Sequence, residues 1–197
     1  MKTFKQFLEE AARFKKKKGE SSQVLFHASE NKFDASEIKP MQHFGTSQAA
    51  RARIRDQYRD GPDYDSKTKR VKANVMAYRA KLNPKKGLEI DDHGENHDPI
   101  SVIDSLHRRK HITKREHTDL EKKIRDAGYL ESNDYEKPYQ HITSFLKKKG
   151  IDHLHYTNRV EDSKSESKSY MIVDPKTSLR PIFQKKKGIV NVKRTER

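Results

Sequence analysis

Two histidines at the ends of short apolar segments are the residues best suited to chemistry. In Gln23-Val24-Leu25-Phe26-His27-Ala28-Ser29 an apolar run ends in an imidazole followed by two small residues. After a polar loop anchored by Phe33, His43-Phe44-Gly45-Thr46 carries a second imidazole into small residues that open a helix. The pattern implies a buried strand that delivers His27 to its end, with His43 brought alongside. Near neutral pH such side chains can donate, accept or relay a proton. Other titratable clusters are weaker. Asp91-Asp92-His93-Gly94-Glu95-Asn96-His97-Asp98 is acidic enough to attract a divalent cation, but it lacks the ligand ladder of a calcium loop and reads as a solvated loop. His107, His111 and His117 are spaced four and six apart; His107 and His111 could share a helix face, but without a carboxylate in register they read as surface residues, and no metal site is expected.

These groups need a scaffold, and the chain punctuates one. Thr46 or Ser47 caps a helix running to about Arg59, with Ala49, Ala50 and Ile54 inward and a row of arginines outward. Val71 to Leu82 alternates as a strand with one bulge and stops at Asn83-Pro84. Asp98-Pro99 opens a helix whose buried stripe is Ile100, Val102, Ile103 and Leu106. Thr113 and Glu116 form a capping box for a second helix with Leu120, Ile124 and Ala127 inward. Pro138 to Lys149 is a third, closed by Gly150, with Tyr139, Ile142, Phe145 and Leu146 inward. Ile151, Leu154 and Tyr156 suit a strand, and Tyr170 to Val173 is a short buried strand ending at Asp174-Pro175. The class is α+β.

Composition narrows the partners. The chain of 197 residues is 31% apolar and 37% charged, so its core is modest. Lysine and arginine exceed aspartate and glutamate by 44 − 29 = 15, a surplus that favours a polyanion such as nucleic acid. The absence of cysteine excludes disulfides, thiolate nucleophiles and cysteine-bound zinc. No apolar run approaches the roughly 20 residues of a membrane span, so no membrane partner is expected. Lys-Lys-Lys-Gly recurs at 16–19, 147–150 and 185–188 without common flanks, which marks compositional bias and not a repeat.

The N-terminus carries a resemblance. Phe4, Phe7, Leu8, Ala11 and Phe14 share one helical face, and Met1-Lys2-Thr3-Phe4-Lys5-Gln6-Phe7-Leu8-Glu9-Glu10-Ala11 is similar to the capsid-targeting leader of internal head proteins in T-even-type phages. It implies removal of residues 1–10 by a prohead protease cutting between Glu10 and Ala11, after Leu8-Glu9-Glu10. The lost segment pairs Lys2 and Lys5 against Glu9 and Glu10, so the positive surplus would survive cleavage. Residues 11–22 then form a basic linker and 184–197 a basic tail, both expected to be flexible and to touch packaged DNA.

The blocks around His27 and His43, around Asn83-Pro84 with Leu88 to Asp91, and from Gly150 to Pro175 together resemble the ADP-ribosyltransferase domains of phages and prophages. The last block reads Tyr156-Thr157-Asn158-Arg159-Val160-Glu161-Asp162, a polar loop, then Ser169-Tyr170-Met171-Ile172-Val173-Asp174-Pro175. The resemblance implies a split β-sheet core with flanking helices over residues 23–183, binding NAD as substrate. Glu161 would be the catalytic carboxylate, His27 would hold a ribose hydroxyl, and His43 would stack on nicotinamide. Ala28 and Ser29 would meet the carboxamide, with Phe44 and Thr46 completing the pocket. Two positions depart from the family: Ala28 stands where Gly is usual, and Ser169 stands where many transferases carry the catalytic Glu. Glu161 or Glu166 would therefore enter from the loop. The expected function is transfer of ADP-ribose to a host protein or nucleic acid, or blunting of a host defence, by a protein carried in the capsid interior and injected into the host cytoplasm. The alternative is a non-catalytic DNA-binding or inhibitor protein that keeps the fold.

Overall fold

The computed structural model describes residues 22–29, 37–46, 49–50, 64–65, 67, 70–93, 98–129, 135–158 and 167–191. Within them lie eight strands: β1 (Ser22–Ser29), β2 (His43–Gly45), β3 (Tyr64–Asp65), β4 (Arg70–Lys81), β5 (Gly87–Glu89), β6 (His153–Thr157), β7 (Lys168–Ile172) and β8 (Leu179–Asn191). Four α-helices accompany them: α1 (Pro99–Arg108), α2 (Lys114–Asp126), α3 (Glu136–Lys148) and the single turn α4 (Pro175–Ser178). A further helix begins at Ala49–Ala50. The class is mixed α+β.

All eight strands join one sheet, ordered β3-β4-β1-β2-β7-β6-β5, with β8 also on β4. The sheet is antiparallel except for β5 on β6. Three helices and their connections fill the crossover between that parallel pair, as parallel pairing requires. The strands form one sheet, and the pairing within it is uneven. Among the described residues β1 and β4 share eight registered pairs from Ser22↔Lys81 to Ser29↔Asn74, whereas β1 and the three-residue β2 share Phe26↔Gly45 alone. Register irregularities between Ala73 and Val75, and between Ala77 and Tyr78, mark where β4 bends against β8.

One boundary needs correction. Residues 184–191, expected as part of a flexible basic tail, continue β8 and pair with β4 as far as Arg70↔Asn191. The physical reason is that β4 offers a second edge along its length, and its backbone groups outweigh the lysine-rich composition of the partner. Residues 192–197, the expected leader 1–10 and the expected linker residues 11–21 lie outside the described residues.

The helices form for the local reasons written in their ends. Asp98 caps α1, accepting from the Ile100 and Ser101 N–H groups at 2.9 and 3.1 Å, with Pro99 in the first turn. Thr113 and Glu116 complete their reciprocal box on α2. Gly128 and Gly150, at φ 83° and 72°, let the chain leave α2 and α3 through the left-handed region. Val102, Ile103, Leu106, Ile124, Ile142 and Leu146 are wholly buried against Leu154, Tyr156 and Met171 of the sheet. Each such side chain contributes roughly 1.5–3 kcal/mol by leaving water. The other face of the sheet builds a second core from Leu25, Phe44, Met76, Tyr78, Tyr170 and Ile172, closed by Ile38, Leu82 and Leu179.

Two glycines permit close approach. A Cβ at Gly45 would stand 2.7 Å from the Ala49 Cβ, so the helix start sits directly on β2. A Cβ at Gly87 would stand 2.2 Å from the His153 Nε2, because the ring lies over the bare backbone of β5. Gly87→Ala should therefore destabilise the protein by about 1–3 kcal/mol. The same change made in a His153→Ala background should cost markedly less, an interaction that denaturant melts of the double-mutant cycle will measure.

Candidate functional site

The centre of the sheet is where the sequence-derived residues meet. β1 brings His27, half-buried, against β2, and past the Phe26–Gly45 pair the two strands exchange a side-chain bond: His27 Nδ1 lies 2.8 Å from the His43 carbonyl oxygen. A carbonyl only accepts, so Nδ1 carries the proton and Nε2 of the neutral ring is the basic nitrogen. The His27 ring lies 5.4 Å from that of Phe44, and Phe44 packs edge-on against Tyr78, also at 5.4 Å. Phe44 is 1% exposed and forms the floor beside His27.

The expectation that both imidazoles face one cleft meets a parity constraint. Phe26↔Gly45 sets His27 opposite Phe44, and neighbouring residues on a strand point to opposite faces. His43 therefore projects to the helix-covered face, where its Nδ1 lies 2.9 Å from the Tyr156 hydroxyl and the rings meet edge-on at 5.9 Å. That face also holds Ser169, paired with Gly45 and Tyr156 and reached by Asn158 Nδ2 at 3.4 Å. Ser169 thus shares its face with His43, and His27 lies on the other.

The remaining expected contacts divide likewise. Thr46 works as a helix cap, its Oγ1 accepting from the Ala49 N–H at 3.2 Å. Ala28 and Ser29 lie on β1, in register with Val75 and Asn74 of β4. Glu161, Glu166, Glu10 and Ala11 lie outside the described residues. In the acidic loop, Asp91 is held by Arg108 and Arg109, at 2.6 and 2.8 Å, and Asp98 is used as a helix cap and accepts from Tyr129. His117 pairs with Asp104 at 2.6 Å, a partner the spacing along the chain had hidden.

On the His27 face, register draws a row that sequence reading did not find. Met76, His27, Phe44, Tyr170, His155 and Glu89 follow one another across β4, β1, β2, β7, β6 and β5. His27 and His155 stand three strands apart, about 14 Å at normal strand spacing. His155 lies 6.3 Å from Tyr170 and 5.6 Å from His153, whose own Nδ1 is taken by Asp152. The Nδ1 of His155 is buried and has no hydrogen-bond partner among the described residues. Burial first, then the nearby His153, lowers the His155 pKa, so its ring is neutral at pH 7. The alternation His153-Leu154-His155-Tyr156 was the available signal, since it sets both imidazoles opposite Leu154 and Tyr156.

Set beside known proteins, the chain matches no family model, no curated protein and no solved structure. Among the described residues no helix is long and apolar enough to cross a membrane, and no three His, Asp or Glu side chains gather as metal ligands.

The His155 environment has a pH signature. With its folded pKa below that of a free imidazole, the unfolded chain binds more protons in mildly acidic solution. The contribution of His155 to stability is thus complete above about pH 6.5 and declines as pH falls from there towards the lowered folded value. Melting temperatures between pH 8 and 5 should fall less steeply for His155→Gln than for the wild type.

Proposed function

We propose that the chain is a virion-packaged protein of the ADP-ribosyltransferase type, using NAD to modify a host macromolecule after injection or to blunt a host defence. The observation that carries the reading is the meeting of β1, β2 and β7 at the sheet centre, because β1 and β2 hold the first block of the resemblance and β7 holds part of the last. His27, oriented by the contact of its Nδ1 with the His43 carbonyl, is the residue assigned to a ribose hydroxyl. The carboxylate is Glu161, on the connection between β6 and β7, with Glu166 as the other candidate. In the reaction the bond from ribose C1′ to the nicotinamide nitrogen breaks and its electron pair leaves with neutral nicotinamide. The carboxylate stabilises the oxocarbenium-like centre, an acceptor nucleophile bonds to C1′, and its proton passes to a base. His43, edge-on to Tyr156 on the other face, is assigned no stacking role; the aromatic floor beside His27 is Phe44.

A non-catalytic reading is favoured by two observations: the net charge of +15, and the projection of the two imidazoles to opposite faces. On that reading the fold is a DNA-binding or inhibitory passenger of the capsid.

NAD consumption in the presence of host lysate separates them. The transferase reading expects turnover by the wild type and a fall of roughly 100-fold or more in His27→Ala and Glu161→Ala. Equal rates in wild type and Glu161→Ala eliminate Glu161, and a wild type without turnover leaves the passenger reading. Independently, protein recovered from virions should begin at Ala11 by mass spectrometry; an intact Met1 removes the leader assignment.

A further inference from the structure

One end of the helical layer gathers cations that the fold itself does not use. The chain passes from the end of α1 to the start of α2 through only 109–113, and Lys149, just beyond α3, reaches back to Glu116 at 2.7 Å. The turn Pro84–Lys86 joins the same end through the Asp152 N–H, which donates to the Lys86 carbonyl at 3.0 Å. Some basic residues here have internal employment: Arg108 and Arg109 hold Asp91, Lys147 holds Asp174 and Lys149 holds Glu116. Lys85, Lys86, Lys110, Lys114, Arg115 and Lys148 are exposed and make no ion pair among the described residues.

Helix dipoles account for only part of this. Lys148 in the last turn of α3 and Lys110 beyond α1 sit at negative helix ends, where a cation is favoured. Lys114 and Arg115 occupy the first two positions of α2, at the positive end, where cations oppose the dipole and an anion is favoured. The acidic residue of that first turn, Glu116, is engaged by Thr113 and Lys149, which leaves Lys114 and Arg115 to an external anion.

We propose that this pole of the folded domain is a docking surface for the phosphate backbone of double-stranded DNA, bound without base readout. The assignment does not rest on the transferase reading, and it locates DNA contact on the helical layer in addition to the chain ends. Exposed cations gathered at one pole suit a rod of regularly spaced phosphates, whose bound counterions are released on contact.

The test is the salt dependence of binding of the full chain to a random-sequence duplex. The variant Lys110→Asn/Lys114→Ala/Arg115→Ala/Lys148→Ala should lower the slope of log affinity against log salt by about 3 to 4. A variant with the same charge loss away from this pole, Lys122→Ala/Lys123→Ala/Lys137→Ala on the helices and Lys168→Ala on β7, should change it by less than about 1. Equal changes in both mean that net charge alone acts, and an unchanged slope in the first leaves the chain ends as the contact; either overturns the proposal. Lys114→Glu/Arg115→Glu separates binding from folding. Acidic residues suit that helix end, so its melting temperature should rise while DNA affinity falls at least tenfold. An affinity that holds in this variant also overturns the proposal.

Discussion

The alternation of side chains along β7 is the constraint on which the molecule depends. Met171 enters the core shared with α1, α2 and α3, while Tyr170 and Ile172 enter the core on the opposite face. Lying between β2 and β6, this strand of five residues fixes both cores at once. A slip of one residue would exchange its faces, sending Tyr170 towards the helices and Met171 away from them. Neither core tolerates that volume change at native packing density. The register of β7 also decides which polar groups become neighbours: Ser169 with Tyr156, and Tyr170 with His155.

From that register follows the distribution of chemistry on the two faces. One carries His43, Tyr156, Ser169 and Asn158 in a network closed by helices. The other carries His27 and His155 on either side of Phe44 and Tyr170, in a row ending at the exposed Glu89. The carbonyl of His43 is the link between them, because its own ring serves the first face while its backbone oxygen orients the imidazole of the second. Replacing His43 would therefore disturb the first network directly, yet leave the orienting oxygen in place.

Helices were readable because their instructions are local. Asp98-Pro99, Thr113 with Glu116, and Gly150 each act within one turn, and each performs the expected role. Strands β1, β4, β6 and β7 were visible as alternating or apolar runs for the same reason. Facing across a loop is a different quantity. His27 and His43 are separated by a connection that erases parity, and only the pairing of Phe26 with Gly45 restores it. The continuation of β8 through Lys185 to Lys187 was hidden similarly: composition suggested solvent, while the strand exists because β4 supplies its backbone partners. His155 was missed because Leu154 and Tyr156 made the strand recognisable and drew the eye to their own face.

The parallel pairing of β5 with β6 has a consequence for how the chain reaches this arrangement. Gly87 cannot find His153, nor Leu88 find Leu154, until everything from Ile90 to Asp152 has been drawn into a compact bridge. Closing so long a loop without internal structure carries an entropic penalty and no immediate reward. The helical bridge, with its local caps and shared apolar stripe, is thus suited to condense early, and the outermost strand to be the last piece laid down. When the molecule is pulled apart, that same margin is the natural place for the seam to open.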